Sequence, residues 1–122
     1  MNVVLDASAV LAFVSGEPGA EIVEAALESG ATCGAANWSE VAQKVLASGR
    51  DWELVRALLV SYGIRLDPIV AEDAEWAARR WRRDEGLSLG VRLCLALGSR
   101  LGVPVLTADA GWGRSDSIRQ IR

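Results

Sequence analysis

The sequence predicts an α/β domain with a mainly parallel central sheet and helices on both of its faces. Three observations carry this prediction. The runs Asn2–Leu5 and Val105–Leu106 are apolar without polar alternation, as strands buried on both faces are. Stretches with helical apolar spacing separate the strand-like runs. No tight two-residue turn joins two strand-like runs, which disfavours an antiparallel hairpin domain. At 122 residues, the chain fits one domain, spanning 1–122.

The elements follow in order. Asn2–Leu5 is the first strand, and a helix begins in the segment Asp6–Phe13. Ser15-Gly-Glu-Pro18 is a turn, with Pro18 placed in the first turn of a helix that runs to about Glu28 and stops at Gly30. Thr32–Gly34 is a second strand. Trp38, Val41, Ala42, Val45 and Leu46 then form one apolar helical stripe, with Glu40 in the first turn. Leu54, Val55, Leu58, Leu59 and Tyr62 repeat the pattern up to Gly63. Ile64–Leu66 is a third strand. Ala71–Arg83 is a helix expected to turn Ala74, Ala77, Ala78 and Trp81 inward. Gly90–Leu101 is another, with Cys94, Leu97 and Leu101 on one face. Val105–Leu106 is the fourth strand, and a last short strand falls near Ile118.

Composition narrows the chemistry. Hydrophobic residues make up 51% and the formal net charge is −3, so no global basic field draws the protein to nucleic acid. There is no histidine, and the only cysteines are Cys33 and Cys94. That excludes Ser-His-Asp and Cys-His nucleophile systems and leaves too few ligands for a zinc site. Both cysteines read as small buried apolar residues. The start of the chain carries no signal-peptide pattern and no apolar run reaches the length of a membrane span, so a soluble, cytoplasmic protein with no membrane contact is expected.

Carboxylates are then the main candidates for chemistry. Asp6 follows the first strand directly and Asp109 lies just past the fourth. Ligands of open parallel sheets bind outside the carboxyl ends of the strands. Each aspartate has a hydroxyl two residues away, Ser8 and Thr107. An aspartate at a strand end also serves as a helix cap, and that reading stays open. Glu40 is either a capping-box or dipole-compensating glutamate or a third carboxylate facing the strand ends. Clustered carboxylates stay ionised together when a cation compensates them, and an all-oxygen set suits Mg²⁺ or Mn²⁺. Such ions activate water and neutralise phosphate charge, so metal-dependent phosphodiester hydrolysis is the natural reaction class.

Four segments carry a resemblance. Val3-Val-Leu-Asp-Ala-Ser-Ala-Val-Leu-Ala12, Asn37-Trp-Ser-Glu-Val41, Leu87-Ser-Leu-Gly-Val-Arg-Leu-Cys-Leu-Ala-Leu97 and Val105-Leu-Thr-Ala-Asp-Ala-Gly-Trp112 resemble the motifs of VapC-type PIN-domain toxins, in order and spacing, over nearly the whole chain. The resemblance implies a PIN-like three-layer α/β/α sandwich. It implies an endoribonuclease that binds Mg²⁺ or Mn²⁺ and cleaves structured RNA such as tRNA or ribosomal RNA. A bacterial antitoxin partner (VapB-like) and a homodimer are also implied. Asp6, Glu40 and Asp109 match the family's acidic positions as metal-binding and catalytic residues, and Ser8 and Thr107 match the accompanying hydroxyls.

Val91 departs from the pattern. The family carries aspartate there, in the first turn of a helix, and valine cannot ligate a metal. The neighbours remain family-like, which suggests a single substitution, either a deliberate inactivating change or a natural one. The expected activity of this chain is therefore impaired, and a catalytically silent module that binds antitoxin or RNA is the alternative.

Remaining features have weaker roles. Arg82, Arg83 and Arg92 are candidate RNA contacts; a solvated face with helix-dipole complementation explains the run Arg79, Arg80, Arg82 and Arg83 more simply. Asp116 is a candidate outer carboxylate of the acidic site. Five tryptophans are explained more simply by packing than by base stacking.

Overall fold

A computed structural model describes residues 2–122. Strands β1 (Val3–Leu5), β2 (Ala31–Gly34), β3 (Arg65–Asp67), β4 (Val105–Thr107) and β5 (Ile118–Gln120) form one sheet in the order β3-β2-β1-β4-β5. Every pairing in it is parallel. Helices α1 (Ala7–Ser15), α2 (Ala20–Ser29), α3 (Ala35–Ala47), α4 (Trp52–Ser61), α5 (Ala71–Arg80) and α6 (Leu89–Leu101) flank it. The architecture is a PIN-like α/β/α sandwich, as the sequence predicts.

The reason β1 lacks polar alternation is visible in its packing. Val3 and Leu5 point into one core, with Val10, Val23, Val41 and Leu59 from α1–α4. Val4 points into the other, with Cys94, Leu95 and Leu97 of α6. Burial on both faces leaves no position for a polar residue. The chain leaves β1 toward β2 and β3 on one side and returns to β4 on the other. The strand order therefore reverses between β1 and β4, which opens a crevice at their carboxyl ends.

Several helix faces differ from the sequence reading. Pro18 precedes α2 instead of sitting in its first turn, because Gly19 takes the N-cap position with φ +94°. In α3 and α4 the pairs Val41/Val45 and Val55/Leu59 are buried in the core, and Trp38 and Trp52 pack against it half-buried. Leu46, Leu54 and Leu58 face outward at 60%, 69% and 43% exposure, since these helices bury a narrow i, i+4 seam. Helix α5 ends at Arg80, and Trp81 is extended and half-exposed. Its buried residues are Asp73 and Ala77, while Ala74 and Ala78 are exposed. The cause is polar: Arg100 of α6 donates to Asp73 at 2.9 and 3.1 Å, which turns the acidic residue inward. Leu101 is likewise outside, at 40% exposure. No helix among the described residues is long and apolar enough to cross a membrane.

Candidate functional site

The crevice between β1 and β4 is organised around Asp6. It is the N-cap of α1 and accepts from the Ala9 amide at 2.8 Å, so the structural reading of this aspartate holds. Capping occupies one oxygen only in part. Ser8 Oγ lies 2.8 Å from both carboxylate oxygens, and Thr107 Oγ1 donates to the second at 2.6 Å. Ser8 Oγ also accepts from the Ala108 amide, and Thr107 Oγ1 from the Asp109 amide, at 2.9 and 3.0 Å. These bonds stitch the end of β1 to the end of β4. Both hydroxyls named from the sequence thus hold the buried carboxylate in place.

Asp109 follows β4 and caps a short 3-10 turn, Ala110–Trp112, accepting from the Gly111 amide at 2.9 Å. Its carbonyl and that of Gly113 accept from Gln120 Nε2 at 2.9 and 2.8 Å, which fixes the loop. Burial raises the pKa of Asp6 against the lowering effect of Thr107, Ala9 and Ser8, and the negative charge of Asp109 raises it further. A carboxylate so placed is held in an environment that a cation would relieve.

Glu40 arrives by a different route. Helix α3 begins at Ala35 and its N-cap is Gly34, which offers no side chain. Glu40 is therefore in the second turn, and the capping-box reading falls away. Its carboxylate instead accepts from Asn37 Nδ2 at 2.8 Å, and the same amide lies 3.2 Å from the Gly90 carbonyl oxygen. A Cβ at Gly90 would come within 3.0 Å of Glu40 Oε1, so Gly90 is the close approach that lets α3 and the start of α6 meet. Sequence reasoning missed this role for Asn37 and Gly90. The available signal was Asn37 three residues before Glu40, on one helical face. Asn37 is 2% exposed. Asn37→Ala removes the contact to the Gly90 carbonyl and frees Glu40, so a stability loss of about 0.5–1.5 kcal/mol is expected, read from the urea midpoint; no measurable loss would show that the amide is dispensable.

The two cysteines are buried within reach of the Asp6 and Glu40 charges. Burial pushes the Cys33 thiol up to about 12, with Asp6 and Glu40 adding to it. Cys94 is raised by burial and by the same two acids, as well as by Cys33. Both stay protonated and serve as packing.

Val91 stands at the third position of α6, where its amide donates to Ser88 Oγ of the N-cap at 3.2 Å. It follows Gly90 and so stands next to the Glu40 contact. The first turn of α6 contains no acidic residue. Among the described residues no three acidic or cysteine side chains converge closely enough to hold a metal ion by themselves. The oxygen donors fit a hard divalent cation in kind; in number they fall short.

The remaining residues named from the sequence lie outside this cluster. Arg92 donates to the carbonyls of Leu87 and Ala77 at 3.3 and 2.8 Å, tying α6 to the end of α5. Arg82 donates to the carbonyls of Arg79 and Trp81 at 2.7 and 2.9 Å, which satisfies free carbonyls at the end of α5. Arg83 stacks over the Trp81 ring at 5.7 Å. Asp116 requires correction as an outer carboxylate of the site. Strand β5 pairs parallel to β4 with Ile118 opposite Val105, so Asp116 sits before the amino end of the strands, the end away from Asp6 and Asp109.

A raised Asp6 pKa makes a pH prediction. The native state holds its proton to higher pH than the unfolded chain, so stability falls as pH rises from the ordinary carboxylate range through the raised folded value. Asp6→Asn removes that penalty but sets an Nδ2 donor where the carboxylate accepts from Ser8 and Thr107. The melting temperature of the variant is expected to shift down relative to the native protein on acidification from neutral pH; a difference independent of pH would contradict the stated electrostatics.

The fold and the site define an α/β domain with an acidic crevice at the switch point of a parallel sheet. The PIN domain profile matches residues 3–117. The chain is 34% identical over 114 residues to VapC ribonuclease Mb2780c of Mycobacterium bovis and to ribonuclease VapC42 of Mycobacterium tuberculosis, covering 84% of this chain and 87% of each relative. A solved toxin-antitoxin complex from Klebsiella pneumoniae has the same fold, with a TM-score of 0.78 at 18% identity and 98% of each chain covered. The chain belongs to the PIN-domain family, on its VapC-like branch.

Proposed function

We infer that the protein is an endoribonuclease toxin of a toxin–antitoxin pair, acting on structured RNA with Mg²⁺ or Mn²⁺, and that Val91 impairs it. The VapC ribonucleases it resembles support the activity. The single observation that carries the site is Asp6, buried at the β1–β4 crevice and held by Ser8 and Thr107 beside Asp109. Asp6, Glu40 and Asp109 are the residues that would hold the cation. When bound, it would supply charge neutralisation at the scissile phosphate. Ser8 and Thr107 keep Asp6 oriented, and Asn37 keeps Glu40 oriented. Arg82, Arg83 and Arg92 are the candidate phosphate contacts near α5 and α6.

An antitoxin and a second copy of the chain are the expected partners, and cytoplasmic RNA the expected target. The shortfall of converging ligands favours a second reading, in which this chain binds antitoxin or RNA without cutting. Incubation of tRNA and ribosomal RNA with the native chain and with Val91→Asp, in Mn²⁺ and in EDTA, separates the two. Mn²⁺-dependent cleavage by Val91→Asp supports the nuclease; no cleavage by either protein leaves the silent module.

A further inference from the structure

A cavity of about 640 Å³ runs along β4 and β5 on the α6 side of the sheet, within the range of about 300–1,000 Å³ typical of ligand sites. Nothing in the acidic crevice uses it. Trp76 of α5 and Trp112 of the turn after β4 line it, together with Arg80, Ser115, Asp116 and Ser117. Arg80 is fixed in a two-pronged pair with Glu85 at 2.6 and 3.0 Å. We propose that this cavity is a nucleobase subsite, taking one unstacked base of single-stranded RNA, with guanine preferred; it rests on the RNA-cleavage reading above.

The chemistry of the lining argues for a base. Proteins hold unstacked RNA bases on aromatic side chains and on arginine planes, and read their Watson–Crick edges with polar groups. Both tryptophans are half-buried, so each keeps ring surface for stacking. The sole carboxylate in the lining is Asp116. It accepts hydrogen bonds and donates none. The Watson–Crick edge of guanine presents two adjacent N–H donors, which match one carboxylate. Uracil presents a single donor between two acceptors and matches it poorly. A carboxylate also repels phosphate, so the base, and not the backbone, belongs beside it.

Trp112 is the lining residue on the crevice side, on the three-residue turn that Asp109 caps. Asp116, Pro104 and Val105 place the rest of the cavity at the amino end of β4 and β5, so the base it takes belongs to a nucleotide away from the phosphate at Asp109.

Tryptophan fluorescence of the full chain, titrated with guanosine monophosphate, uridine monophosphate and ribose 5-phosphate, tests this. Guanosine monophosphate should quench saturably, uridine monophosphate should bind about tenfold more weakly, and ribose 5-phosphate should not quench. Asp116→Asn should lower guanosine monophosphate affinity about tenfold, and Trp76→Leu should reduce the quenching. Equal binding of ribose 5-phosphate, or an unchanged guanine-to-uracil ratio in Asp116→Asn, would overturn the proposal. So would a dimer that Trp76→Glu dissociates and a native chain that binds no nucleotide, which assigns the cavity to a second copy. Nucleotide binding without cleavage by Val91→Asp keeps the subsite and removes the nuclease; cleavage without nucleotide binding at the cavity does the reverse.

Discussion

Val91→Asp is expected to raise Mn²⁺-dependent RNA cleavage by about 10²-fold or more, the magnitude associated with one electrostatic stabiliser of a transition state. The backbone is already suited to the change. Position 91 is the third residue of α6, its amide capped by Ser88, where an acidic side chain complements the helix dipole by about 0.3–1 kcal/mol. Glu40 approaches the preceding residue, Gly90, and the Val91 side chain is half-buried against the α6-side core, so a carboxylate at 91 is expected to add to the charge of Glu40 and the crevice acids. Crowded carboxylates repel and favour a cation. The variant should therefore gain more thermal stability from Mn²⁺ than the native chain does. Initial rates in Mn²⁺ and EDTA check the prediction; a rate equal to that of the native chain means position 91 does not belong to the site.

The second large effect concerns the fold that carries the site. Arg100→Ala is expected to cost about 3 kcal/mol. Asp73 is 4% exposed, and both its oxygens accept from Arg100. Asp67, at the end of β3, lies 3.7 Å from the same guanidinium. Removing one partner of a buried pair leaves an uncompensated charge, at about 3–5 kcal/mol. The Arg100 side chain is 32% exposed, so water screens part of this and the lower end applies. Replacing both partners, Asp73→Ala with Arg100→Met, should recover much of the loss, because no lone charge remains. Urea unfolding with an unchanged slope measures both. A loss under about 1 kcal/mol in Arg100→Ala would mean that solvent replaces the arginine.

These two cases show what the sequence could and could not reveal. The strand ends carrying Asp6 and Asp109 were legible, because doubly buried strands admit no polar residue until they stop. The hydroxyls Ser8 and Thr107 were legible by spacing alone. The inward face of α5 was not. Its direction is set by Arg100, which is 27 residues further on, and no local periodicity encodes that partner. The capping alternative for Glu40 stays open in the sequence, since the true start of α3 at Ala35 follows a glycine without a side chain to signal it. Asp116 is a candidate for the crevice in sequence, but the parallel return through β5 carries it to the opposite end of the strands. Arg92 has a use in joining α6 to Ala77 and Leu87, which a charge pattern does not disclose.

The central proposal is that Asp6, Glu40 and Asp109, which do not converge into a closed ligand set by themselves, contribute to a divalent-cation site that lacks the carboxylate expected at Val91. Calorimetric titration of Mn²⁺ into the native chain, Val91→Asp, and Val91→Asp combined with Asp6→Asn tests it most directly. The account predicts weak binding by the first, binding at least about tenfold tighter by the second, and loss of that gain in the third. Equal Mn²⁺ affinity in all three proteins would contradict it.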